Sequence, residues 1–324
     1  MSEMNWSNLE DALARSSEKS KAEIAKEELE KMRANNQEIK ERADLEAKAN
    51  VLVEEINNLK AKAVTSEDWE EVIKRLDKLN KLCDIAEARE KGEVLPEDAR
   101  EIMGDNFYGK EEIENAFGFE VKEEVPSIPY SVKELEKAKE LEELLILRIK
   151  EDSHGNPMTI EKINEILKLK AIHSFEKYEE EPFYKEDSLE TEWKLVSSSP
   201  VSNSINEDYF DQTIVLFNHL VMSNLIPKEE SNKYFADMRR RELKALFLFN
   251  ERYRRSPVEI IYDWVLIFKN KGTGGILEHC YDWSNEFSDG DKPISVSVTS
   301  TGEVHISRWR PEHGRNDYGV FSAR

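Results

Sequence analysis

The chain predicts an α+β protein in three parts. Residues 1–91 read as an N-terminal helical hairpin or coiled-coil arm, 92–275 as a mixed, mainly helical domain, and 276–324 as a C-terminal antiparallel β-sheet packed on it. Three observations carry that reading. The first ninety-one residues contain neither glycine nor proline, and their apolar residues recur at helical spacing. Seven of the twelve glycines fall between Gly272 and Gly319. In the same region Ile294, Val296 and Val298 alternate with Ser295, Ser297 and Thr299, the period-two pattern of a strand with one polar face.

Within the arm, Ala25, Leu29, Met32, Asn36, Ile39 and Ala43 follow a four-three seam. The seam slips by one position and resumes as Leu45, Ala49, Leu52, Ile56, Leu59 and Ala63, which locally changes a supercoil. Fully helical, 9–63 would extend roughly 80 Å at 1.5 Å per residue. Ser66 and the acidic residues after it start a second helix whose seam is Trp69, Val72, Leu76, Leu79, Cys83 and Ala86. Ile73 and Leu82 widen that apolar face. Glu71–Arg75 and Asp77–Lys81 are favourable pairs at i,i+4.

Gly92 and Pro96 end the arm. Residues 95–120 predict two short helices joined at Gly104–Gly109, with a small core of Ile102, Met103, Phe107, Ile113, Phe117 and Phe119. Pro126 and Pro129 stiffen the next connector. A helix from Val132 leads to the apolar run Leu144–Ile149, read as a buried strand before the turn at 153–157. Residues 158–170 are helical again, 176–192 form an acidic loop, and 193–197 a second strand. Helices over about 207–224, 228–253 and 257–269 follow, the last capped by Ser256 with Pro257 at its first position. The terminal block predicts four strands. As a meander they would put loops 284–292 and 310–317 at one end of the sheet.

Composition narrows the possible functions. A formal net charge of −21 opposes nonspecific contact with nucleic acid or anionic membranes. Cys83 and Cys280 are the only cysteines, so no disulfide framework is expected and a cytoplasmic location is favoured. The N-terminus has no signal-peptide pattern. The most apolar run, Ile260–Phe268, is too short for a membrane span and is interrupted by Asp263.

The chain carries none of the nucleophile-elbow, phosphate-loop, dinucleotide or His-Glu-x-x-His signatures. Lys271–Gly275 follows a helix and does not open one, so it reads as a helix end. His279, Cys280, His305 and His313 lack close zinc-ligand spacing, and Asp289, Asp291 and Asp317 lack the calcium-loop pattern. No cofactor is expected. The candidate recognition surface comprises Asn285, Asp289, Asp291, Trp309, Arg310, His313, Arg315, Asn316 and Asp317, short polar and basic side chains on strand ends. Trp283 is expected in the core. The one dense basic stretch, Arg239, Arg240, Arg241, Lys244, Arg252, Arg254 and Arg255, is either a phosphate-contacting helix or, preferred in so acidic a chain, an internal partner of loop 176–192.

Several segments, among them AREIMGDNFYG (99–109), IENAFGF (113–119), TEWKLVSSSPVSNS (191–204) and SPVEIIYDWVLIFKNKG (256–272), resemble a dispersed family of uncharacterised bacterial proteins with no assigned activity. That resemblance implies a shared fold and no function. Trp309, its polar loop and the closing Gly319–Arg324 resemble the last strands of C-type-lectin-like and formylglycine-generating-enzyme modules. The Gly-Gly-Ser-Trp preceding that loop and the cysteine pair of the enzyme are missing, so ligand display is all this likeness implies. The expectation is a binding or scaffolding protein, with the arm for assembly with itself or a protein partner and the sheet loops for recognition. An enzyme with a site built from sequence-distant residues and a nucleic-acid-associated protein are the alternatives.

Overall fold

The structure, a computed structural model, describes residues 40, 43–60, 70–76, 78–79, 93–168, 170–171, 178, 180–226, 234, 243–272, 280–288, 292–298, 303–314 and 316–324. The chain divides into two compact units, Met1–Gly92 and Glu93–Arg324.

In the first unit, residues 43–60 and 70–76 are helical. Leu45, Ala49, Leu52 and Leu59 are half-buried and Ile56 is buried, as the second seam requires. Val72 is buried opposite them in the sequence pattern, and Leu76 and Leu79 are half-buried. Arg75 links the two helices, with Nε 2.9 Å from Glu55 and Nη1 2.5 Å from Glu71. Ile73 does not widen the seam: it is 55 % exposed. The first seam up to Ile39, and Trp69, Asp77, Lys81, Leu82, Cys83 and Ala86, lie outside the described residues.

The second unit is α+β, with two sheets. Its first helices are α1 (Pro96–Met103) and α2 (Lys110–Phe117). Between them Phe107–Tyr108 forms a short strand, β1, where the sequence predicted only a helix junction. α3 (Val132–Glu140) starts at Ser131, whose side chain accepts from the Glu134 amide. β2 (Glu143–Arg148) and β4 (Glu192–Ser197) are the two predicted strands, and they pair antiparallel with Leu145 opposite Leu195. β1 joins the free edge of β2 in parallel, giving the order β1-β2-β4.

Between β2 and β4 lie α4 (Ile160–Leu167), the two-residue strand β3 (Lys170–Ala171) and the helical turn α5 (Pro182–Lys185). Phe183 and Tyr184 are buried there, so the acidic stretch is anchored by its aromatics. α6 (Tyr209–Met222), α7 (Leu243–Tyr253) and α8 (Pro257–Lys271) follow.

The second sheet holds β5 (Tyr281–Ser288), β6 (Lys292–Val298), β7 (Glu303–Arg308) and β8 (Tyr318–Gly319). β5, β6 and β7 are antiparallel neighbours, but the sheet is mixed overall, in the order β3-β7-β6-β5-β8. The meander therefore fails at its last step. Residue 309 leaves β7 at the end where β5 also finishes, and the chain then runs back along the sheet to set Tyr318 beside Tyr281 in parallel. Ser322–Arg324 go on to pair with β4, through bonds between Leu195 and Arg324 of 3.1 Å in each direction. Residues 280–324 thus share a sheet and hydrogen bonds with earlier residues, and both belong to one compact unit, Glu93–Arg324.

The main core explains this arrangement. In α8, Val258, Ile260 to Ile267 and even Asp263 are buried, which is the pattern of a helix enclosed on most sides. One side meets the first sheet, where Tyr262 Oη donates to Leu147 O at 3.3 Å. Ile294, Val296, Val298, Val304 and Ile306 of the second sheet belong to the same core.

Val296 is fully buried, so Val296→Asp should cost several kcal/mol in chemical denaturation by placing an unpaired charge in this core. A second test concerns the turn after β2. Burial opposes charge on Asp152, but the Asn156 side chain, the backbone amides of Asn156 and His154, and Lys162 outweigh it and hold the carboxyl well below the usual carboxylate range. A depressed folded value stabilises the fold above the unfolded carboxylate value of about 4 and loses that stabilisation as pH falls below it. Asp152→Asn should lower the urea midpoint at neutral pH and flatten its decline on acidification.

Candidate functional site

The predicted basic helix is the first surface to place. Arg254 and Arg255 are buried at the junction of α7 and α8, with side chains inside the protein. Arg255 Nε and Nη2 donate to Asp282 Oδ2 at 3.2 and 2.9 Å, and its Nη1 to Asp263 Oδ2 at 3.1 Å. From the other side Arg148 grips Asp263, with Nε to Oδ1 at 3.1 Å and Nη2 to Oδ2 at 2.8 Å. Arg148 Nη1 also donates to Glu259, whose other oxygen caps α8 by accepting from Ser256 N at 2.6 Å. Burial opposes charge on Arg148, but Asp263 and Glu259 hold its value above the ordinary arginine range. The alternating row Arg148–Asp263–Arg255–Asp282 therefore ties α8 to a strand of each sheet.

Arg254 is held differently. It donates to the carbonyls of Trp283 (3.2 Å) and Tyr209 (3.1 Å), to Thr213 Oγ1 (3.0 Å) and to Asn250 Oδ1 (3.0 Å), and lies 4.2 Å from the Tyr209 ring centroid. Burial lowers its value, and Tyr209 and Asp282 counter that. The internal partners of these two arginines are Asp263, Asp282 and carbonyl oxygens, a correction to the expected pairing with loop 176–192. Their guanidinium groups cannot reach a phosphate backbone while the unit is folded. Arg239, Arg240 and Arg241, and the side chain of Lys244, lie outside the described residues.

The polar face of the second sheet gives a second cluster. Register puts Ser295 between Trp283 and Ser307, and Ser297 opposite His305. Tyr281 Oη hydrogen-bonds His305 Nδ1, and its ring stacks on Tyr318 at 4.6 Å. Ser295 Oγ donates to Tyr318 Oη at 3.2 Å. Small serines on the central strand leave room for these rings. Trp283 is fully buried as expected, and Trp309 is half-buried beside the same aromatic group. Sequence reading named this face polar but did not pair Tyr281 with His305, because the two are 24 residues apart.

Asn285 does not project from a loop. It sits where the β5–β6 register shifts, between Trp283 and Phe287, and its amide donates to Arg255 O at 3.0 Å. Its Nδ2 reaches Arg254 O at 3.4 Å, so Asn285 fastens the strand to the α7–α8 junction. Asp289, Asp291 and Arg315 lie outside the described residues.

The segment 309–317 is the remaining candidate. Arg310 O accepts from His313 N at 3.1 Å, closing a turn with Pro311 at its second position. Pro311 O accepts from Tyr209 N at 2.9 Å. A Cβ at Gly314 would lie 2.5 Å from Asn206 O, so only glycine permits that approach. Asp317 O accepts from Tyr281 N at 2.7 Å. Hydrogen bonds from Tyr209 and Tyr281 thus fasten the backbone at Pro311 and Asp317, with a turn at Arg310 and a close approach at Gly314 between them, while Arg310, Glu312, His313 and Asn316 are exposed and Asp317 is half-buried.

Among the described residues the remaining metal and thiol candidates do not converge. His313 is exposed on this segment, His305 is bound to Tyr281, and His279 is outside the described residues. Among the described residues no three His, Cys, Asp or Glu side chains gather closely enough to hold a metal ion. Burial pushes the Cys280 thiol up to about 12, with Asp282 adding to the shift, so it stays protonated at neutral pH. No helix among the described residues is long and apolar enough to cross a membrane. No family model, curated protein or solved structure matches the chain.

The buried row predicts a large effect from a small change. Asp263→Asn keeps the shape but leaves Arg148 and Arg255 sharing too little negative charge, and should cost about 3–5 kcal/mol in denaturant unfolding. A loss below about 1 kcal/mol would mean that the row contributes little to stability.

Proposed function

We propose that this protein is a binding or scaffolding protein that presents segment 309–317 to a protein partner. The arm, 1–91, serves assembly in this reading. One observation supports it above others: the segment's backbone is fastened at Pro311 and Asp317 and passes close to Asn206 at Gly314, while Arg310, Glu312, His313 and Asn316 face solvent. A surface ordered before binding loses little conformational entropy on contact, so modest polar contacts suffice for recognition. The burial of Arg254 and Arg255 removes two of the basic residues on which a nucleic-acid reading would depend.

A second reading, an enzyme with a site assembled from sequence-distant residues, is favoured by the Tyr281–His305 pair beside Ser297 and Ser307. A histidine oriented through one ring nitrogen has the general arrangement of a proton-transfer group.

The triple variant Arg310→Ala/His313→Ala/Asn316→Ala separates these readings. Its stability should change by only about 0.5 kcal/mol per site, because these side chains are exposed. Proximity crosslinking in cells should lose partners that the unaltered chain retains. A variant that melts as early as Val296→Asp would show that the segment is packed as core, and recognition would then lie elsewhere.

A further inference from the structure

A cavity of about 330 Å³ opens between α3 and the end of α6, far in sequence from segment 309–317. Its lining includes three cations, Lys133, Lys137 and Arg324, and one carboxylate, Glu134. Lys133 and Lys137 are one helical turn apart and share a face of α3, a spacing that disfavours like charges on an isolated helix. Lys133 has no hydrogen bond or ion pair among the described residues. Lys137 has only an exposed contact with Glu140 at 3.4 Å, which holds it weakly.

Arg324 is placed with more care. Its side chain is nine-tenths buried, and Nε and Nη2 are committed to Glu143 at 3.4 and 2.8 Å. That pairing fixes the planar guanidinium and leaves Nη1 with no protein acceptor among the described residues. Glu134 is committed elsewhere: its Oε2 accepts from Ser131 N and Ser131 Oγ, both at 2.8 Å.

The opposite wall carries neutral donors, the Ser223 hydroxyl and the Asn224 amide. Carbonyl oxygens at a helix end would ordinarily repel an anion. Three of them are hydrogen-bonded here: His219 O accepts from Ser223 N, Val221 O from Asn224 N, and Leu220 O from Leu225 N at 2.8 Å. Asn224 takes the left-handed conformation, φ 53°, that closes such a helix end.

We propose that this cavity binds the phosphate group of a small phosphorylated molecule. Lys133 and Lys137 supply mobile point charges, Arg324 a fixed guanidinium edge, and Ser223 and Asn224 neutral hydrogen bonds. Glu143 already balances the Arg324 charge, so the two lysines are what attract an anion, and a phosphate dianion can engage them together with Arg324 Nη1 and the neutral donors where a monocarboxylate has too few oxygens to do so. The net charge of −21 repels anions at long range, so local cations are what make a phosphate site selective in this chain.

The test uses the full chain and inorganic phosphate, titrated by calorimetry at fixed ionic strength. Saturable binding is expected, weakened about tenfold or more in Lys133→Glu/Lys137→Glu and by less in Lys133→Gln/Lys137→Gln. Both lysines are exposed, and thermal melts should confirm that the variants fold. Lys110→Glu/Lys122→Glu makes the same change in net charge at exposed sites elsewhere, and should bind phosphate as the unaltered chain does. The proposal is overturned if phosphate binds no more tightly than chloride, if acetate binds equally well, or if Lys110→Glu/Lys122→Glu loses as much affinity as Lys133→Glu/Lys137→Glu.

Discussion

The helix α8 can sit between two sheets only because its buried charges are matched. Asp263 is fully buried within an otherwise apolar helix face, where a lone carboxylate would be expelled or protonated. Arg148 from the first sheet and Arg255 from the turn before α8 share its two oxygens. Arg255 passes the pairing on to Asp282 of the second sheet, and Asp282 Oδ1 accepts from Phe321 N at 3.2 Å. One row of alternating charge thereby sets the position of the central helix, a strand in each sheet and the terminal segment. An apolar row of equal volume could be as stable. What the ionic row adds is register, because each guanidinium fork accepts only one arrangement of its partners.

The end of the chain depends on that register. After β8 the backbone crosses from the second sheet to the first, where Ser322–Arg324 cover the edge of β4. An exposed strand edge invites pairing with other chains, and this crossing removes one. The segment 309–317 that precedes it must run the length of the sheet in the opposite sense to a meander loop. Pro311, Gly314 and Asp317 fasten it on the way. Its exposed side chains are presented by a backbone fixed for reasons of topology, and the proposed recognition role builds on that rigidity. The cavity proposed to take phosphate has a related origin, since Arg324 lines it only because the terminal segment pairs with β4.

Much of this was readable locally. The strands at 144–149, 193–197, 294–298 and 304–306 announce themselves by apolar runs or strict alternation. Ser131 and Ser256 mark helix starts through capping, which needs only four consecutive residues. The preferred expectation of internal pairing holds for Arg254 and Arg255, but their partners were not legible, because an arginine cluster looks the same in sequence whichever carboxylates or carbonyls it meets. A usable signal did exist: Asp263 interrupts the run Ile260–Phe268, and Arg148 sits in Leu144–Ile149. A charge inside a run long enough to be buried requires an opposite charge somewhere else in the fold.

By itself the sequence determined the α+β class, most helix and strand positions among the described residues of 93–324, the burial of Trp283 and the exposure of Arg310, His313 and Asn316. Those properties follow from periodicity, capping and turn chemistry, which act over a few residues. The tertiary structure alone decided that β8 lies parallel to β5, that Ser322–Arg324 complete the first sheet and that Tyr281 meets His305. It also decided which carboxylates neutralise Arg148 and Arg255. Strand order and ion pairing join residues separated by tens to more than a hundred positions, and no local pattern specifies which of many chemically equivalent partners is chosen.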